Sequence, residues 1–162
     1  MENMPKVSVI IPIYNAAEFL GECLDSVLAQ TLTDIEVICV NDGSPDNSLE
    51  ILREYEKKDS RIKIIDQKNQ GAGAARNHGM SVARGEYLSF LDSDDFFDRD
   101  MLKDAYEAAH DCGADVCVFD ADLFNHTTKT FRKCTWAFRR QFFPNRNPFS
   151  PLDEDVRENI FR

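Results

Sequence analysis

The strongest constraint on the fold is a rhythm repeated four times, a short β-branched apolar run followed by a stretch with helical spacing. The first run, "KVSVIIPIY" (6–14), is continuous rather than alternating and too short for a helix, which predicts a strand covered on both faces. Phe19, Leu20, Cys23, Leu24, Val27 and Leu28 then recur at helical spacing, and Asn15 with Glu18 has the spacing of a capping box. "IEVICV" (35–40) predicts a second buried strand. It runs into "NDGSPDNS", where Ser44 can cap a helix whose first residue is Pro45 and which Leu49, Leu52 and Tyr55 continue. "RIKIID" (61–66) predicts a third strand, and the stretch opening at Asn69 follows it with a helix to about Arg84. "GEYLSFLDSDD" (85–95) gives a fourth strand ending in acids, Met101 to Ala109 another helix, and "DVCVFDADLF" (115–124) a fifth strand.

Strand–helix units in succession imply a mostly parallel, Rossmann-like α/β sheet with helices on both faces. In such a sheet the ligand site lies beyond the carboxyl ends of the strands. Tyr14, Asn41, Asp42, the 69–76 loop and Asp92 to Asp95 all fall on that edge, so residues far apart in sequence are expected to converge.

The balance of 19 Lys and Arg against 29 Asp and Glu gives a net charge of −10. A protein that neutralises nucleic-acid phosphates normally carries the opposite sign, which disfavours that partner. Cys23, Cys39, Cys112, Cys117 and Cys134 are odd in number and never spaced C-x-x-C, which suits reduced thiols packed as small hydrophobes. No leader-like start or transmembrane-length apolar run is present, so the expectation is a cytoplasmic protein, with peripheral association at the inner face of the membrane compatible with it. After about His126 the sequence turns basic, aromatic and rich in Pro and Asn. There 129–138 reads as an extra strand, Pro144, Pro148 and Pro151 oppose a continuous helix, and such a tail would favour self-association.

Two segments carry chemistry. "FLDSDDFFD" places Asp92, Asp94 and Asp95 directly behind a buried strand, where mutual repulsion gives fold stability no use for them, while Asp98 suits an N-cap for a helix beginning near Arg99. Their hard oxygens suit Mg²⁺ or Mn²⁺ shared with a substrate's phosphates. "NQGAGAARNHG" (69–79) contains most of a dinucleotide fingerprint, but it follows the third strand instead of the first, which argues against an oxidoreductase. Nor does a glycine-rich basic loop for a triphosphate follow the first strand, as a nucleotidyltransferase would need. Ala72, Ala75, Gly79 and Ala83 share one helical face, small enough to lie close on a sheet, and Arg76 shares that face near the ligand edge. His78 reads as a helix-surface residue, Trp136 as packing for the tail, and Phe96 with Phe97 as anchors for the loop after the acids.

"VSVIIPIYN", "VICVNDGSPDNS", "NQGAGAARNHG" and "GEYLSFLDSDD", in this order over residues 6–125, resemble family 2 glycosyltransferases with the GT-A fold. The resemblance implies a UDP-sugar donor bound through a divalent cation, and transfer with inversion to a polysaccharide or glycolipid acceptor. It implies that Pro12 and Tyr14 flank the base, Asp42 accepts from the uracil imide, Arg76 lies by the nucleotide and Asp92 reaches the ribose. Asp94 would be the metal ligand, with Asp95 the alternative because "DSDD" offers two registers. The family's general base follows the D-x-D by about a hundred positions, whereas 67 residues follow Asp95, so no base is assigned; Asp153, Glu154 and Asp155 read as a charged helix start. The chain accordingly reads as a GT-A nucleotide-sugar-binding half-domain (1–125) cut from a longer protein, with 126–162 opening an acceptor-binding part. The alternative is a non-catalytic nucleotide-binding or interaction module that lacks the acceptor half.

Overall fold

The computed structural model describes residues 4–119 and 121–133. The chain forms two compact units that meet in sequence between Tyr106 and Glu107. The first contains β1 (Val7–Ile13), α1 (Leu20–Leu28), β2 (Ile35–Asp42), α2 (Ser48–Lys58), β3 (Ile62–Gln67), α3 (Ala72–Val82), β4 (Tyr87–Phe90) and the opening of α4 (Met101–Cys112).

The four strands form one sheet in the order β3-β2-β1-β4, with every pairing parallel. Every residue of β1 and β2 is buried, as their unbroken apolar runs require of central strands covered on both faces. The two faces are unequal. Val7, Val9, Ile11 and Ile13 of β1 and Val37 and Cys39 of β2 pack with Leu20, Leu24 and Val27 of α1, Leu52 of α2 and Leu102 of α4. The opposite face is a smaller cluster of Ile10, Ile38, Val40 and Ala75, covered by α3. Gly79 makes that approach possible, because a Cβ there would stand 2.6 Å from the Ile10 Cγ2 atom. The small face read from "AGAARNHG" is therefore the packing face, with Ala75 and Gly79 buried and Ala72 left exposed at its outer end.

Helix entries differ from their local signals. Asn15 does not cap α1; it sits at φ 54°, and α1 starts at Leu20. The amides of Ala16 and Ala17 are taken instead by Ser48 Oγ (3.2 Å) and Asp46 Oδ2 (2.9 Å), 32 and 29 residues away. α2 likewise begins at Ser48 and not at Pro45, with Asp46 Oδ1 accepting from the Ser48 amide at 3.1 Å. Ser44 accepts from the Asn15 amide, so its hydroxyl joins two loops instead of capping. Asp98 meets α4 through its backbone carbonyl, which accepts from Met101 N, and the Leu102 amide is capped by Gln30 Oε1 at 2.9 Å. At α1 and α4 a tertiary partner displaced the nearby side chain, whereas at α2 Asp46, two residues before Ser48, took the place expected of Ser44.

In the second unit the fifth strand is shorter and differently paired than its sequence suggests. β5 is Asp122–Asn125 and pairs antiparallel with β6 (Thr130–Lys133); Val116, Val118 and Phe119 form no strand and are exposed. Asn125 Oδ1 accepts from the amides of Thr127 and Thr128, and Lys129 adopts φ 53°, a tight reversal that closes the hairpin. β6 supplies the start of the strand read at 129–138; the remainder of that strand, Cys134, Trp136 and the three tail prolines lie outside the described residues. Cys23 and Cys39 are buried free thiols, as expected, whereas Cys112 is exposed.

Candidate functional site

The carboxyl ends of the strands frame a cleft of about 340 Å³ within the first unit. Pro12, Tyr14, Asp42, Arg76, Asp92 and Asp94 all line it, with Ile13, Asn15, Ala16, Phe19, Ala72 and Ser93. Six of the seven residues singled out from sequence thus meet at one place. Asp95 is not on the lining; its amide closes the loop by donating to the Asp92 carbonyl at 3.0 Å.

Each element delivers its residue for a local reason. β1 carries Pro12 to the edge, and Tyr14 beside the turn at Asn15 is 54% exposed, which leaves it accessible for stacking. Asp42, the last residue of β2, is 2% exposed. Its Oδ1 accepts from Gln67 Nε2 (2.8 Å) and the Gln70 amide (2.9 Å), and its Oδ2 from the Gly71 amide (2.8 Å). Burial pushes this carboxyl up, but those three bonds together hold it below its ordinary value, so it is ionised. Gly43 follows at φ 68°, where a Cβ would come within 2.9 Å of the Asn69 amide, so the two loops close on each other there.

Arg76 stands one turn into α3 and donates through Nη2 to Asp92 Oδ1, joining the helix to the acidic loop across the cleft. Phe97 packs on the main core and its amide donates to Ser26 Oγ at 3.1 Å, which ties that loop down beyond the acids. The Asp95 carboxyl is pushed up, first by partial removal from water and then by the charges of Asp94 and Asp92. Cys23 beneath is pushed up to about 12, by burial first and then by Asp95, Asp94 and Asp92, so it remains a neutral thiol. Arg76 offsets one acid. Among the described residues no Lys or Arg is paired with Asp94 or Asp95.

That uncompensated charge is the observation against which a cation can be tested. Among the described residues no three His, Cys, Asp or Glu side chains gather as a ready metal cage. Mg²⁺ and Mn²⁺ are commonly held by one or two carboxylates with substrate phosphates completing the shell, and Asp94 with Asp95 nearby fits that chemistry. His78 is exposed and bonds Gln67 Oε1 at 2.7 Å, as a helix-surface residue would. Gln67 itself escaped the sequence reading. Its signal was positional: as the last residue of β3 it lies in register with Asp42.

The family model for glycosyl transferase family 2 matches residues 8–160. The uncharacterized glycosyltransferase EpsJ of Bacillus subtilis (strain 168) is 48% identical over 113 residues, 70% of this chain and 33% of that protein. The glycosyltransferase GlyA of Streptococcus pneumoniae serotype 4 is 41% identical over 126 residues, 78% of this chain and 18% of that protein. Residues 1–349 of S. aureus TarS, solved in complex with UDP, superpose with a TM-score of 0.61 at 35% identity, covering 65% of this chain and 32% of that one. The mannosyltransferase PcManGT of Pyrobaculum calidifontis, solved with GDP-Man and Mn²⁺, gives 0.59 at 27% identity, covering 64% and 32%. The chain spans a third or less of the two curated relatives named. Among the described residues no helix is long and apolar enough to cross a membrane.

Proposed function

The chain belongs to glycosyl transferase family 2, with the GT-A Rossmann-like sheet that this family membership predicted, and on that premise we propose that its cleft binds a UDP-sugar through a divalent cation. The carrying observation is the convergence of Tyr14, Asp42, Arg76, Asp92 and Asp94, from four separate segments, on one cleft at the carboxyl ends of the strands. Tyr14 stacks on the base against Pro12. Asp42, ionised and buried, accepts from the uracil imide, which a cytosine ring lacking that N–H could not supply.

Arg76 and Asp92 hold each other across the cleft in the free protein and divide on binding, Arg76 toward the diphosphate and Asp92 toward the ribose hydroxyls. Asp94 holds the Mg²⁺ or Mn²⁺, with Asp95 as the alternative ligand. When bound, the cation offsets charge on the diphosphate as it leaves. The whole protein transfers the sugar with inversion to a polysaccharide or glycolipid acceptor, and no general base is assigned. Asp153, Glu154 and Asp155 lie outside the described residues.

Calorimetric titration of nucleoside diphosphates with and without Mn²⁺ tests this reading. UDP should bind, and more tightly with Mn²⁺. No binding of any uridine nucleotide overturns it.

A further inference from the structure

We infer that Gln67, seated on His78, is a positioning residue that turns the Asp42 carboxylate so that a single acceptor position is left for the base, restricting the cleft to a ring that presents an N–H donor. The inference rests on the proposed nucleotide site and adds to it residues that the family resemblance did not name.

A carboxylate offers about four acceptor positions on its two oxygens. At Asp42, Gln67 Nε2 and the Gln70 amide occupy the two on Oδ1, and the Gly71 amide takes one on Oδ2. One Oδ2 position remains on a residue that lines the cleft. Two of the three donors are backbone amides of the loop, so Gln67 is the only side chain in the set.

Its amide could in principle face either way. Asp42 is ionised and can only accept, so Nε2 must point at it and Oε1 must point at His78 Nδ1. An amide oxygen can only accept, so His78 carries its proton on Nδ1. The chain of donors therefore runs one way, from His78 Nδ1–H to Gln67 Oε1 and from Gln67 Nε2–H to Asp42 Oδ1, at 2.7 and 2.8 Å. It links three elements. β2 carries Asp42, β3 carries Gln67, and α3 carries His78 two residues beyond Arg76.

Two measurements test it. In the free protein, imidazole ¹⁵N shifts should show neutral His78 as the Nδ1–H tautomer, against the more common Nε2–H form. Finding Nε2–H overturns the chain of bonds without any variant. Titrations of Gln67→Met with UDP and CDP should show UDP binding weakened about tenfold and CDP binding unchanged, since only uracil depends on the held acceptor. Equal weakening of both, or of neither, overturns the inference while leaving the proposed function standing. A wild-type protein that binds no uridine nucleotide overturns the proposed function, and this inference with it.

Discussion

Both ends of the parallel sheet gather carboxylates, and they treat them in opposite ways. At the amino end, Glu36 is 3% exposed and saturated. Its Oε1 accepts from Ser8 Oγ and the Arg84 amide, both at 2.6 Å, while its Oε2 holds Lys63 Nζ at 2.6 Å. Burial would raise this carboxyl, yet the bonds from Lys63, Ser8 and Arg84 and the charge of Lys63 bring it down to about 2. At the carboxyl end the acids of the 92–95 loop have, among the described residues, one arginine between them, and Asp95 is pushed up first by burial and then by Asp94 and Asp92. Charge that the protein neutralises itself belongs to stability; charge left unneutralised at a cleft is available to a ligand. Asp42 stands between the two cases, three acceptor positions spent on the end of β3 and the loop after it and one kept back.

Substitutions at the two ends should therefore fail in different assays. Asp94→Asn is expected to have the largest effect, abolishing the Mn²⁺-dependent gain in UDP affinity, about a hundredfold, with the melting temperature little changed. An unaltered response to Mn²⁺ would move the metal role to Asp95 or remove it. Glu36→Gln should do the reverse, costing about 2 kcal/mol of folding stability by denaturant titration while the folded protein keeps its UDP affinity.

The pH dependence of that loss has a definite sign. Glu36 is held at about 2 in the folded chain against an ordinary 4.5, so its contribution is complete above 4.5 and drains away as pH falls toward 2. The gap between wild type and Glu36→Gln should close across that window. A constant gap would show that the carboxylate's charge is not the source. Tyr14→Ala comes next, weakening UDP about fivefold through lost stacking and leaving stability unchanged. An undiminished affinity would place the base elsewhere in the cleft.

Asp95→Asn should show the smallest effect, and the opposite sign to Glu36. A carboxyl raised above its ordinary 3.8 is easier to protonate when folded, so its ionisation costs stability as pH rises through the window above that value. Removing the charge should raise stability at neutral pH by about a few tenths of a kcal/mol after solvent screening. Loss of stability there would mean that Asp95 is already compensated, and the contrast between the two ends would fail.

Much of this was legible in the chain. The continuous runs of β1 and β2 identify strands buried on both faces, and parallel order follows from the helical stretches between them. The carboxyl-edge rule places Tyr14, Asp42, Arg76, Asp92 and Asp94 together from sequence order alone, because it depends only on strand polarity, and all five line the cleft. Local pattern failed where a partner arrived from far away. Asn15 and Ser44 look like caps, yet Ser48 and Asp46 take the amides that precede α1. The "DVCVF" run looks like a strand, yet among the described residues only 122–125 finds a partner, through a turn that Asn125 closes.

The sequence by itself determined the sheet, its polarity and the edge to which the candidate residues run, because periodicity and residue type act over a few neighbouring positions. Only the tertiary structure decided which carboxylate is spent and which is spare. That depends on donors brought within about 3 Å from other elements, as Gln67 and the Gly71 amide are at Asp42 and as Lys63 and Arg84 are at Glu36.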